Sequence, residues 1–186
     1  MDDNKYDIFG IDFGDGETSI SWCKSDTITE PQIIELYSRK QTLSALGILK
    51  DGNYIIGEDA CQSSSVEELF LRLKSKFINN EPYAGINIVK LLHQIRLYLE
   101  NNNANFNNDS IVAVGCPSGF DDKTKTAYLK LFVDAGFNNP KLVSESRAAF
   151  LYARESGELR LDNNLNSKTA LIIDAGSSTL DFTFIN

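Results

Sequence analysis

Residues 8–22, IFGIDFGDGETSISW, and residues 170–185, ALIIDAGSSTLDFTFI, decide the fold. Each opens with a short run of apolar, β-branched and aromatic residues, the composition of a buried strand. Each run ends on an aspartate, Asp12 in the first and Asp174 in the second, and a turn of small residues follows at once. Gly14, Asp15 and Gly16 make the first turn; Gly176, Ser177, Ser178 and Thr179 make the second. An alternating stretch, TSISWC (18–23) or TLDFTFI (179–185), then returns as the second arm of a hairpin. In the first turn glycine is expected to supply a positive φ. Turns of this kind let backbone N–H groups approach an anion closely. An aspartate at the strand end is placed to hold hydrated Mg²⁺, which prefers oxygen ligands and keeps several waters. Two such hairpins facing one another can clamp the phosphates of one nucleotide from both sides.

Between the hairpins the sequence reads as follows. Residues 32–37 predict a third antiparallel strand, and 43–49 and 53–56 two short strands split by Asp51-Gly52-Asn53. Ser65 with Glu68 three residues on is a capping-box pattern, and apolar residues at 66, 69, 70 and 73 follow a helical period. A longer helix is expected over 84–100 and a polar loop over 101–109. IVAVG (111–115) is a fully apolar strand, and Pro117-Ser118-Gly119 breaks it. Asp121 can cap a helix from 122 to about 135, which Gly136 ends. A short strand (141–143) and a second helix capped by Ser144 and ended by Gly157 complete the segment.

The chain has 186 residues, 42% hydrophobic and 24% charged, so it can bury a core and is not disordered throughout. Net charge is -8 and Lys and Arg do not cluster, which argues against nucleic acid and anionic membrane as partners. No run of about 18 apolar residues spans a membrane, and no basic start precedes an apolar run as in a secretory leader. The three cysteines (Cys23, Cys61, Cys116) are far apart and odd in number, which fits free thiols in a reducing cytoplasm. With one histidine, His93, on an apolar helical stretch, histidine metal sites are nearly excluded and a packing role is expected.

Three blocks carry a resemblance to a known family. Residues 8–22 are similar to the first phosphate motif, and 170–185 to the second, of the ATPase domain shared by actin and the 70-kilodalton heat-shock chaperones of DnaK type. Residues 112–157, VAVGCPSGFDDKTKTAYLKLFVDAGFNNPKLVSESRAAFLYARESG, resemble the segment that joins these motifs in the chaperones, and favour them over actin or the sugar kinases. The resemblance implies an α/β fold: a ribonuclease-H-like lobe with a mixed five-stranded sheet and flanking helices. Residues 1–167 would form lobe I, with a small upper subdomain within about 38–108, and residues 168–186 the first hairpin of a truncated lobe II.

It also implies roles. Asp12 and Asp174 would flank Mg²⁺ and the phosphates of ATP or ADP, and Gly14 and Gly16 would bring backbone to the β-phosphate. Gly176, Ser177, Ser178 and Thr179 would wrap the γ-phosphate, and Glu145 would orient the attacking water. The family's lysine near the γ-phosphate would be Lys74, with Lys76 and Arg72 as alternatives. Hydrolysis would proceed by positioning and charge stabilisation, with no covalent intermediate.

The sequence also departs from the family. Asp15, on the phosphate-binding turn, stands where the family has Thr or Ser. Two unit charges about 4 Å apart repel by about 4 kcal/mol at an effective dielectric of 20, so Asp15 must turn away, be paired, or weaken nucleotide binding. Ser177-Ser178 replaces a glycine pair, and Ser146-Arg147 a Pro-Thr pair. The chain is expected to be the N-terminal portion of a longer ATPase, folded but inefficient in turnover alone. Client proteins and co-chaperones would bind through other regions, and the hairpin 168–186 would self-associate or fold back on lobe I. A nucleotide-binding or inert interaction module without hydrolysis and an actin-like filament protein are the alternative functions.

Overall fold

Strand β1 (Asp7–Phe13) sits at the centre of the main sheet, and its alternation sets the two faces. Phe9, Ile11 and Phe13 point into the core and are almost fully buried, while Gly10 and Asp12 face the other way. The computed structural model describes residues 6–25, 30–103, 105–158, 170–176 and 180–185. β1 returns antiparallel as β2 (Glu17–Lys24), with Ile11 opposite Ile20 and Asp12 opposite Ser19. β3 (Gln32–Ile34) and β4 (Gln41–Leu43) both pair antiparallel with β2, at different places along it.

β5 (Leu46–Leu49) and β6 (Tyr54–Ile56) form a separate hairpin turned by Gly52 at φ 83°, and Asp51 accepts hydrogen bonds from Asn53 at the turn. The short helix α1 (Glu58–Gln62) leads to β7 (Val66–Phe70), which joins β5 to complete a three-stranded antiparallel sheet. Val66–Phe70 is thus a strand and not the start of the helix that its apolar period predicts. Ser65 is not a helix cap: its amide donates to Ser63 Oγ, and Val66 N–H to the Ser63 carbonyl, in a turn that feeds a strand. The edge of β5 supplies the partners, with Leu46 opposite Phe70 and Gly47 opposite Leu69, and this pairing overrides the local period. The helix starts only at α2 (Leu73–Ile78), after Arg72 takes a left-handed conformation at φ 54°.

α3 (Ala84–Asn102) buries Ile88, Leu91, Leu92, Ile95 and Leu99 along one stripe. β8 (Ile111–Cys116) then pairs parallel with β1 on the side away from β2. α4 (Asp122–Asp134) is capped by Asp121, whose side chain accepts from the Thr124 amide at 2.7 Å, and it closes at Gly136 with φ 93°. β9 (Pro140–Ser144) pairs parallel with β8. α5 (Glu145–Glu155) starts under a Ser144 cap, and β10 (Ala170–Ala175) and β11 (Leu180–Ile185) form the last hairpin.

The main sheet runs β3-β2-β1-β8-β9, antiparallel then parallel, the mixed five-stranded path expected of a ribonuclease-H-like lobe; β4 adds a sixth strand beside β2. Helices α3 and α4 cover the apolar face of this sheet. Tyr128 and Phe132 of α4 meet Phe120, Phe13 and Phe137 there in edge-on and tilted aromatic contacts, and Leu131 is buried in the same core. The opposite face carries small side chains: Gly10 on β1, Ser19 and Ser21 on β2, Ala113 and Gly115 on β8. His93 stays on the structural side, its Nδ1 3.3 Å from the Ala135 carbonyl oxygen.

The first hairpin turn needs glycine for a reason other than the one expected. Neither Gly14 nor Gly16 has a positive φ. A Cβ on Gly14 would instead lie 2.6 Å from the Glu17 carbonyl oxygen, the acceptor of the Gly14 amide. Among the described residues, no helix is long and apolar enough to cross a membrane.

Candidate functional site

The small-residue face of the sheet forms the floor of a cleft of about 1230 Å³. Asp12, Gly14, Asp15 and Gly16 enter it from the β1–β2 hairpin, Lys74 and Ser75 from α2, Gly115 from β8 and Glu145 from the start of α5. Asp174, Ala175 and Gly176 enter it from the last hairpin. Asp12, Lys74, Glu145, Asp174, Gly14, Asp15, Gly16 and Gly176 thus share one cleft. Lys76 and Arg72 do not line it, so α2 turns only Lys74 of its three basic candidates inward. Ser177, Ser178 and Thr179 lie outside the described residues.

An ion pair joins two of these groups across 71 positions of sequence: Lys74 Nζ donates to Glu145 Oε1 at 3.0 Å. The lysine is 7% exposed. Its ammonium also stands 5.7 Å from the centre of the Tyr128 ring, so it lies between a carboxylate and an aromatic face. Burial pushes the Glu145 carboxyl above the usual glutamate range; Lys74 pulls it back, while Asp12 and Asp174 push it up again. Asp12 opens on the cleft yet is flanked by protein. This desolvation raises its carboxyl, Lys74 lowers it, and Asp174 raises it. The carboxyls of Asp12 and Glu145 are thus shifted by burial and by the shared charges of Lys74 and Asp174, an environment in which functional carboxylates are found.

Several side chains that hold this geometry were not legible in the sequence. Ser44, in the link between β4 and β5, secures the hairpin tip: its hydroxyl donates to the Gly14 carbonyl at 2.8 Å and its amide to the Gly16 carbonyl at 2.8 Å. Thr18 Oγ1 adds a buried hydroxyl contact to Ser44 Oγ at 2.9 Å. Gly115 makes room for the glutamate, because a Cβ there would lie 3.2 Å from Glu145 Cγ and 3.4 Å from Oε1. A glycine inside the apolar run IVAVGC was the available signal for such a close approach. Tyr128 is fully buried beneath Lys74, and among the described residues its hydroxyl has no hydrogen-bond partner. Burial first, then Glu145, Cys116 and Asp12, hold that phenol well above its ordinary range.

At the edge of the cleft Asp15 is paired. Its Oδ1 accepts from the Ser75 amide and its Oδ2 from the Ser75 hydroxyl, both at 2.8 Å. The last hairpin touches the rest of the chain through hydroxyls: Ser118 Oγ lies 3.0 Å from Thr183 Oγ1 and 2.7 Å from Ser146 Oγ.

The donor set fits a nucleotide with a hydrated cation better than a directly held metal. Among the described residues, no group of three or more His, Cys, Asp or Glu converges to hold a metal ion. Asp12 and Asp174 nonetheless act on the same volume, with Lys74 as the nearby cation, which suits Mg²⁺ bound through its own waters and anionic oxygens.

No family model matches the chain. It is 26% identical to the chaperone protein DnaK of Metamycoplasma hominis over 187 aligned positions, covering 96% of this chain and 30% of that protein. The chaperone protein DnaK of Mycoplasmopsis agalactiae is 24% identical, with 96% and 29% covered. The chain thus spans under a third of the curated relatives it matches. Among solved structures, MreB5 of Spiroplasma citri bound to ADP superposes with a TM-score of 0.62 at 17% identity, covering 96% of this chain and 48% of that one. The same protein bound to AMPPNP gives 0.61 at 16% identity, with the same coverage. The chain has the actin-like ATPase superfamily fold, related to the nucleotide-binding domain of the 70-kilodalton heat-shock chaperones.

Proposed function

We propose that the chain forms one wall of a Mg-ATP site in a chaperone-like ATPase, and that its cleft binds the phosphates. The buried Lys74–Glu145 pair at 3.0 Å, facing Asp12 and Asp174 across one cleft, carries this reading. A lone acidic hairpin has ordinary explanations; a buried lysine held by a carboxylate 71 residues away, beside two more carboxylates, has few. The ADP and AMPPNP bound by the MreB5 neighbours support the choice of ligand.

In this reading each residue has a task. The turn shaped by Gly14 and Gly16, fixed by Ser44, brings backbone close to phosphate oxygens, the Gly14 amide itself being held by the Glu17 carbonyl. Lys74 neutralises phosphate charge, and its contact with Glu145 keeps it aimed at the cleft. Glu145, its carboxyl raised by burial, orients a water and accepts its proton. Asp12 and Asp174 hold the hydration shell of Mg²⁺, which supplies charge neutralisation to the phosphates when bound. Ser177, Ser178 and Thr179 would complete the γ-phosphate contacts. Residues 1–167 would be lobe I and residues 168–186 the first hairpin of lobe II. The three free cysteines suit a reducing cytoplasm.

Calorimetric titration with Mg-ATP tests the reading. The chain should bind with a Kd of about 1 mM or tighter, and Lys74→Ala should weaken binding about tenfold or more. No binding by the chain, or equal binding by Lys74→Ala, would overturn it. In a form that turns over, Glu145→Gln should cut the rate by about a hundredfold or more while keeping affinity; equal rates would leave an inert binding module. A second reading, an actin-like self-assembling protein, is favoured by the exposed Leu171, Ile173, Phe182 and Phe184 of the last hairpin. Sedimentation with and without Mg-ATP separates the two.

A further inference from the structure

The geometry points to Asp15 as a positioning residue: a latch that fixes the Lys74-bearing helix to the phosphate hairpin. α2 has only six residues, and its N-cap residue, Arg72, sits at φ 54° and offers no side-chain cap. A helix that short does not hold its first turn alone. Asp15 supplies the missing acceptor from across the fold. One carboxylate oxygen takes the amide of Ser75, in the first turn of α2, and the other takes the Ser75 hydroxyl, each at 2.8 Å. These are charge-assisted bonds to a helix start, where a carboxylate also meets the favourable end of the dipole.

Ser75 follows Lys74 directly. The latch therefore ties the hairpin that presents Gly14 and Gly16 to the residue whose ammonium reaches Glu145. It also answers the charge problem the sequence raised. A carboxylate free in the cleft would repel a polyphosphate, whereas this one is spent on holding the lysine that attracts it. Asp15 acts through Lys74 and touches no ligand.

The proposal rests on the reading of Lys74 as a phosphate-facing cation, and it makes a prediction opposite in sign to simple electrostatics. Removing a negative charge from a phosphate site should tighten Mg-ATP binding. As a latch, Asp15→Ala should weaken it about fivefold to tenfold, because α2 loosens. Asp15→Asn keeps an acceptor for the Ser75 amide and removes the charge, so it should bind at least as tightly as the unaltered chain. Two readouts do not involve nucleotide: hydrogen exchange of the α2 amides, and the carboxyl titration of Glu145 followed by NMR. Asp15→Ala should speed exchange at Ser75 about fivefold or more and move the Glu145 titration to higher pH as Lys74 departs; Asp15→Asn should restore both. The latch is overturned if Asp15→Ala leaves exchange and titration unchanged, or binds Mg-ATP as tightly as Asp15→Asn. If the unaltered chain binds no Mg-ATP, the functional reading fails, and the latch is still judged by exchange and titration.

Discussion

Lys74 and Glu145 are where chemistry and stability meet, because each partly offsets the other's burial. Glu145 sits above its ordinary carboxyl range, so its charged form is the disfavoured one in the fold. Such a group costs stability as pH rises through its folded-state value, and costs nothing once it is protonated. Lys74→Ala removes the cation that lowers it. The Glu145 titration should therefore move further up, and the variant should lose more stability at pH 7 than at pH 4.5, as paired thermal melts would show. A loss that is the same at both pH values would contradict the pairing.

Asp12 follows the same sign rule with a different outcome. Asp12→Asn relieves desolvation and the charge of Asp174, so it should raise the melting temperature at pH 7 by about one to two degrees, allowing for solvent screening. The gain should vanish below about pH 3, where the carboxyl is protonated in both states. Mg-ATP binding should fall at the same time, the usual exchange of stability for function.

At the scale of the element, the hairpin tips and helix caps were legible because short-range chemistry sets them. Asp121 and Ser144 each precede a helix and each accepts from an amide three residues on. Gly52 and Gly136 mark turns by their positive φ. β7 was misread because Val66, Leu69 and Phe70 fit a helical period, and nothing local shows that β5 has an open edge to fill. The contacts of Ser44, Tyr128 and Ser75 were out of reach for the same reason: their partners lie 26 or more residues away. Asp12 and Asp174 were legible from the paired hairpins and Glu145 and Lys74 from the motif resemblance, whereas their convergence depends on the order β1-β8-β9 together with the placement of α2 and the last hairpin. Gly14→Ala tests the tip. Its methyl would meet the Glu17 carbonyl at 2.6 Å, so unfolding should become easier by about 1–3 kcal/mol, and Mg-ATP binding should drop with it. Ser144→Ala should cost about 0.5–1 kcal/mol through the α5 cap and shift Glu145, the next residue.

For the whole molecule, one sheet separates two environments. On one face Phe9, Ile11 and Phe13 lock onto α3 and α4, and Leu92→Ala there should cost about 2–5 kcal/mol in urea unfolding. The other face is kept small by glycine, serine and alanine, and that is what leaves a cleft where charged groups from distant segments can meet. Stability is thus concentrated on the face that does no chemistry. The last hairpin lies beside α5 with Ile173 58% and Phe184 71% exposed, so its apolar side chains are available to a further surface. Phe182→Ser with Phe184→Ser should abolish any self-association seen by sedimentation, and leave a monomeric chain unchanged in its melting temperature.

The most direct measurement is an NMR titration of the isotopically labelled chain with Mg-ATP, mapping shifts onto backbone amides and the Lys74 and Glu145 side chains. Shifts concentrated on residues 10–16, Lys74, Gly115, Glu145 and 174–176 are the expected result. Shifts scattered over the α3 and α4 face, or none at millimolar nucleotide, would contradict a phosphate-binding cleft.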